Sequence, residues 1–401
     1  MIKVLSRLER IYSPLVLLSL MLYLAGLLFP IRVVLNMGFA GICVAAVLSM
    51  PTAFAERSRI AWGTACILML VAGIWGGWVA PDAGESWRHF WSYQMIGKGA
   101  FCALVLLLLP LSLIQLRWIL VFLLVMLVVR NIQLAIYGYQ NVEVILGMPK
   151  SEAQLLGYRN HGDHIVLLAP FVIAVALSWK RWYLMASLFL AVEVILLATT
   201  GWRGAWAGLF GACVLILFHF RAWKILGFLA VLLVLLGLIS LVVFEGNIVG
   251  QALRRGVSDS HRVDLVWKPV LTLIAASNWQ GYGFGSARFM EVFASYVGAH
   301  PEKGLMPFPD PHNVLLAFSM AAGWLGAFVF VITLALGMAL CVRQLRRDDS
   351  PEIQALAVGT LASWLGVYGI LGLTDQPYYN NLALLMALTS IVLAGGRRRG
   401  A

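Results

Sequence analysis

Apolar residues come in long blocks, and short polar stretches separate them. "VLLSLMLYLAGLLF" (16–29) is typical, with no charge across its length. A helix that crosses a bilayer needs about 20 mostly apolar residues. In lipid its backbone groups must bond within the segment, so a block of this kind reads as a helix and not as an open strand. Scanned in this way, the chain predicts helices at 12–30, 32–51, 60–80, 99–115, 117–137, 163–179, 182–200, 203–220, 224–245, 312–342, 351–373 and 379–395. No short-period repeat is visible, and residues 1–401 read as one integral membrane unit.

Composition strengthens this picture. The chain is 61% hydrophobic and 12% charged, with a mean hydropathy of +0.88. Soluble domains are about half apolar, so much of this chain must face lipid. Its net charge is +11. In a membrane protein such an excess marks cytoplasmic loops, and no basic stripe interleaved with aromatics points to nucleic acid. The five cysteines, Cys43, Cys66, Cys102, Cys213 and Cys341, all fall inside apolar blocks without metal-ligand spacing. They read as small buried hydrophobes.

Charge also sets an orientation. With the N-terminus inside, Lys3, Arg7 and Arg10, Lys180 and Arg181, Arg343 to Arg347, and Arg397 to Arg399 all fall on the cytoplasmic side. The short loops opposite hold far fewer basic residues. The positive-inside rule therefore puts both termini in the cytoplasm. One large loop, 246–311, lies on the other face between the ninth and tenth predicted spans.

The chemistry gathers at that face. "GYRNHGDH" (157–164), "TTGWRGAW" (199–206) and "RRGVSDSHRVDLVWK" (254–268) bring Arg159, Arg203 and Arg262 from distant stretches to one depth. Arginine forks pair with phosphate oxygens, and a charge close to lipid tends to be paired or functional. Arg203 opens a predicted helix, where free N–H groups and the helix dipole favour an anion. His312 follows the large loop and opens the next helix. A positive dipole end is expected to lower its pKa and keep the imidazole neutral, as a general base requires. Asp310 is placed to orient the ring. His161, Asp163 and His164 have no further ligand nearby in sequence for a metal.

His312 and Asn313 are followed by nine residues, then "GWLG" (323–326). This is similar to the H-[NSQ]-x9-G-x-x-[GTY] signature of O-antigen ligases. "TGWRGAWAG" (200–208) resembles that family's S-R-G-A-W turn, with Trp202 where a serine is usual. "HRVDLVWKPVLTLIAASNWQGYGFG" (261–285) is similar to the segment that leads to the histidine. The match is carried mainly by residues 155–330.

The resemblance implies an all-α polytopic glycosyltransferase of the GT-C type, with about twelve transmembrane helices, in the bacterial inner membrane. It would transfer a polysaccharide from undecaprenyl pyrophosphate to lipid A-core on the periplasmic face, without metal or other cofactor. His312 would be the essential histidine and general base, with Arg203 and Arg262 as the essential arginines. Arg159, Asn313, Asp375, Trp206 and Tyr282 are expected to contact substrate. Direct attack would invert the anomeric carbon, because no carboxylate nucleophile stands out. Residues 286–299 place Phe289, Val292, Phe293 and Tyr296 at helical spacing, as for an amphipathic helix over the site. Partners are the lipid-linked donor, the lipid A-core acceptor and membrane lipids. A polymerase or a protein O-oligosaccharyltransferase of the same superfamily shares these features. A lipid-linked oligosaccharide flippase would need a charged path, and Arg130 and Glu193 are the main charges within spans. A membrane scaffold leaves the gathering of Arg203, Arg262 and His312 unexplained.

Overall fold

The computed structural model describes residues 2–49, 57–140, 162–179, 183–200, 202–242 and 262–395. Among them every regular element is helical. In chain order these are α1 (Ile2–Leu28), α2 (Arg32–Ser49), α3 (Arg57–Val79), α4 (Ala83–Arg88), α5 (Ile96–Leu106), α6 (Leu113–Gln140), α7 (Asp163–Ser178) and α8 (Tyr183–Thr199). Then follow α9 (Arg203–His219), α10 (Trp223–Val242), α11 (Lys268–Ala276), α12 (Ser286–Ala299), α13 (Val314–Leu345), α14 (Pro351–Thr374) and α15 (Tyr379–Gly395). All twelve predicted segments contain a helix. Four of these helices, α3, α6, α13 and α14, are long and apolar enough on their own to cross a membrane.

Helix α6 shows why these sequences fold only against lipid. Leu116, Ile119, Leu123, Leu127 and Leu134 are buried against the bundle. Ile114, Trp118, Val121, Val125, Ile132 and Ile136 are exposed on the other side. Both stripes follow the 3.6-residue period, and both are apolar. A helix apolar all round, with one side outward, needs an apolar solvent. The interior is built on α15, buried from Asn381 to Gly395, with α14 and α7 packed nearby.

Polar groups inside the bundle pair with one another. Asn131 of α6 donates to Glu193 of α8 and also meets His164 of α7 at 3.2 Å. Asn381 of α15 donates to Asp163 of α7 at 2.8 Å. Asp163 and His164 thus tie helices together. Their sequence neighbour His161 lies outside the described residues. Arg59 of α3 is buried and donates to the last carbonyls of neighbouring helices, Leu107 at 2.9 Å and Leu393 at 2.8 Å. Those carbonyls have no partner within their own helices.

The sequence pattern predicts 312–342 as one continuous span. The structure breaks it. Ala322 and Gly323 leave helical geometry, with Gly323 at φ 63° and ψ −151°. A break frees carbonyls and N–H groups on either side, and buried ones need partners. The segment 279–285 supplies them. Tyr282 N donates to Met320 O at 2.7 Å and Gly283 N to Ala321 O at 2.9 Å, and Trp324 N donates to Trp279 O at 3.0 Å. Gly281, Gly283 and Gly285 all have positive φ, which lets the backbone lie this close. Phe284 anchors the plug. It is buried, its ring packs on Phe90 and Phe318, and its N–H bonds Ser86 Oγ at 2.8 Å.

The described part of the large loop, 262–311, is therefore ordered around this break. Phe289 and Phe293 of α12 are buried with Val266, Val270 and Ile274, and Val292 and Tyr296 pack beside them. The amphipathic spacing of 286–299 is a real helix. Its apolar face meets the loop's own small core and Met320 of α13.

Gly323→Ala tests this arrangement. Its Cβ would lie 2.0 Å from Trp279 O, in a conformation that L side chains rarely adopt. Backbone strain alone costs about 1–3 kcal/mol, and the collision adds to it. Thermal unfolding in detergent should show a large loss of stability. Gly227→Ala, with nothing within 4 Å, should change little.

Candidate functional site

Four remote segments meet at one end of the bundle: the 202–204 turn, Arg262, the 308–313 segment and the 374–376 turn. Local structure explains each placement. Asn313 caps α13, accepting from Leu316 N at 3.1 Å, so His312 stands just before the helix and not in its first turn. His312 has φ 49°, a left-handed conformation. Asp310 holds it there, because its Oδ1 accepts from His312 N at 2.8 Å. Asp375 follows the last residue of α14 in an extended conformation and so leaves the helix axis.

The imidazole lies between two carboxylates. His312 Nδ1 is 3.1 Å from Asp310 Oδ1 and 3.4 Å from Asp375 Oδ1. Phe308 closes one side, edge to face at 5.7 Å. With Nδ1 turned to the carboxylates, Nε2 is the ring nitrogen left to engage a substrate. Asp375 has further partners. Trp202 Nε1 donates to its Oδ2 at 2.8 Å, and Gln376 N donates to its Oδ1 at 2.9 Å. Arg262 donates to the neighbouring carbonyl, Thr374 O. A Cβ on Gly204 would meet Thr374 Oγ1 at 2.7 Å, so the Arg203 turn packs directly on this segment.

These contacts reverse one expectation. The helix dipole at the start of α13 suggests a lowered pKa for His312. Burial also acts to lower it, but the hydrogen bonds and charges of Asp310 and Asp375 outweigh burial and push it up to about 9. The dipole effect is worth only a few tenths to one kcal/mol, and two adjacent carboxylates exceed it. Burial acts to raise the pKa of Asp375, but the His312 hydrogen bond, with the charges of His312 and Arg262, holds it below the ordinary carboxylate range.

A second expectation changes with folding. The sequence shows no carboxylate cluster able to take a metal. In the structure Asp310, His312 and Asp375 bring one ligand atom each within 4.8 Å of one another. The trio fits a divalent ion in donor type. The same atoms also satisfy one another, and the positive charge of Arg262 acts on Asp375.

Three of the expected substrate contacts turn out to carry structure. Asn313 caps α13 and also donates to Leu373 O at 2.9 Å. Trp206 Nε1 donates to Leu197 O at 2.9 Å, tying α9 to the end of α8. Tyr282 donates its hydroxyl to Leu273 O at 2.8 Å, and the residue lines a cleft beside Asp310. Arg159 lies outside the described residues. Sequence reading passed over Trp202 as a departure from the usual serine, yet its indole N–H holds Asp375. Three π-helical segments feed the site: His89–Tyr93 ends at Gln94, Val263–Trp267 begins after Arg262, and Trp364–Leu371 precedes Thr374 and Asp375. A π turn shifts the side-chain register and recurs at functional sites.

Residues 186–331 match the family described as O-antigen ligase. No curated protein matches the chain. The matched stretch holds Arg203, Arg262 and His312, while Asp375 and Gln376 come from beyond it.

The carboxylate pair makes a prediction for the imidazole itself. Its titration, followed by NMR of histidine-labelled protein, should centre near pH 9. Asp375→Asn or Asp310→Asn removes a charge that favours the protonated ring, so each should lower that value. An unchanged midpoint in both variants would break the electrostatic account.

Proposed function

We propose that this chain, whose residues 186–331 match the O-antigen ligase family, moves a glycan from undecaprenyl pyrophosphate to lipid A-core. The work would take place at the outer face of the bacterial inner membrane, in a twelve-span GT-C-type protein with both termini cytoplasmic. The observation that carries this reading is the meeting of the Arg203 turn, Arg262 and a carboxylate-backed His312 at one end of an otherwise apolar bundle.

The chemistry follows from the parts. The acceptor hydroxyl oxygen attacks the anomeric carbon of the donor sugar. The bond from that carbon to the pyrophosphate oxygen breaks, and undecaprenyl pyrophosphate leaves. Arg203 and Arg262 offset the charge that develops on the leaving oxygen. The first N–H groups of α9 add to this, since Trp202 places no side-chain cap on them. The hydroxyl proton passes to His312 Nε2, while Asp310 and Asp375 stabilise the imidazolium that forms. With attack opposite the leaving group, the anomeric configuration inverts. No divalent ion is required for this charge balance. The specific choice of lipid A-core over a growing polymer or a protein acceptor is part of the proposal.

A second reading is favoured by the raised pKa. At neutral pH the resting imidazole is mostly protonated, and a protonated His312 would be a third cation for the pyrophosphate. The pH dependence separates the two roles. A base must be neutral, so kcat/KM should climb about tenfold per unit below pH 9 and level off above it. A phosphate-binding cation must be protonated, so kcat/KM should fall as pH rises above about 9. Purified protein with lipid-linked donor and lipid A-core supplies the assay. His312→Ala should lose roughly 100-fold or more in transfer if the base role holds. Near-normal turnover would remove both roles.

The clamp has its own test. Arg203→Lys keeps the charge and loses the planar fork, and it should cut transfer at least tenfold. Arg346→Lys, remote from the site at the end of α13, should be silent. EDTA should leave wild-type transfer unchanged. Loss with EDTA and recovery with magnesium would shift the charge-balancing role to an ion held by Asp310, His312 and Asp375.

A further inference from the structure

The cleft beside Asp310 lies between α12, α13, the start of α15 and the turn that ends at Gln94. Three of its side chains bury a polar atom without a hydrogen-bond partner: Gln94 Oε1, Gln376 Oε1 and Arg288 Nε. Arg288 uses its Nη1 on Glu291 Oε2 at 2.6 Å, which leaves Nε turned elsewhere. An unpaired buried polar group costs about 1–3 kcal/mol, and native proteins keep few of them. All three residues line the same cleft, and a ligand there would supply the missing bonds.

The chemistry of the set narrows that ligand. Two of the three atoms are acceptors and one is a donor. The Asp310 carboxylate adds further acceptor capacity, and Phe289 and Tyr282 add aromatic surface. An anion would meet a carboxylate and two carbonyl oxygens, so phosphate fits poorly. A polyhydroxylated ring fits well, because each hydroxyl both donates and accepts. None of Arg203, Trp202, Arg262 or Thr374 lines the cleft. The cationic groups and the cleft are thus separate surfaces, and of the Asp310–His312–Asp375 cluster only Asp310 lines the cleft. In a displacement with inversion, the nucleophile approaches from the side opposite the leaving group.

We propose that Gln94, Gln376 and Arg288 form the subsite that binds the acceptor sugar beside Asp310, the carboxylate that bonds His312. This rests on the transferase reading above. It adds three binding residues, two of which lie outside the matched family stretch.

Gln94→Leu and Gln376→Leu remove the acceptors at nearly constant shape. Replacing a buried unpaired amide with an apolar side chain should leave the protein at least as stable as wild type, which thermal unfolding in detergent checks. With full-length protein in nanodiscs, the KM for lipid A-core should rise about tenfold in each variant, and the KM for lipid-linked donor should stay within twofold. Gln376→Glu keeps an acceptor oxygen and should recover most of the affinity. An unchanged acceptor KM would mean that the cleft holds only water, and a rise in donor KM instead would assign it to the donor. If the wild-type protein transfers nothing to lipid A-core, the transferase reading falls. The subsite is then judged by saturation-transfer NMR with delipidated core oligosaccharide. Signals present in wild type and lost in Gln376→Leu would sustain it, and no wild-type signal would end it.

Discussion

A transmembrane helix cannot break for free. At Gly323 the α13 ladder stops, and the carbonyls of Met320 and Ala321 and the N–H of Trp324 would be stranded. The backbone of 279–283 takes all three. This exchange fixes much else. It pins the extramembrane segment to the bundle and seats Phe284 among α3, Phe90 and Phe318. It also sets the floor of the cleft, since Tyr282, Gly283, Met320 and Ala321 all line it. Gly281 of "GYGFG" and Gly323 of the histidine signature thus have one shared cause. Two backbones meet where a Cβ on either side would collide: one on Gly281 would lie 2.6 Å from Gly323 N.

The second constraint is electrostatic. Two carboxylates beside one imidazole would repel each other without a cation between or beside them. His312 between them and Arg262 next to Asp375 supply that balance. Trp202 and Gln376 N use the remaining capacity of Asp375 and hold it in place. The result is an imidazole whose orientation is over-determined and whose proton affinity is high. A group of this kind is poorly suited to idle at neutral pH as a free base. It is well suited to take a proton from an approaching hydroxyl, or to hold a proton against a diphosphate.

The site is divided by charge. The Arg203 turn and Arg262 lie by Asp375, while the amide-lined cleft lies by Asp310. A group-transfer enzyme must hold an anionic leaving group and a neutral nucleophile at once, and keep them apart until they react. On the proposed transferase reading, the separate surfaces on either carboxylate would meet that need without moving parts. The bundle beneath contributes position: α7, α14 and α15 are buried, and their ends carry the 374–376 turn and the residues that brace it.

The chain itself determined the helices, because lipid-facing apolarity and 3.6-residue period are local properties that a window of about 20 residues carries whole. It also singled out Arg203, Arg262 and His312 as candidates, since a charge beside a span end and an intact short motif are visible in one dimension. Tertiary structure decided what surrounds each one. The break at Gly323 is invisible in hydropathy, because glycine there is as apolar as its neighbours. The raised pKa of His312 depends on Asp375, 63 residues away. Asn313 and Trp206 look like ligand contacts until the carbonyls of Leu373 and Leu197 arrive to take their donors. Trp202 looks like a lost hydroxyl until Asp375 meets its indole, 173 residues on. Proton affinity and hydrogen-bond partners are sums over neighbours in space, and only the packed chain says which neighbours those are.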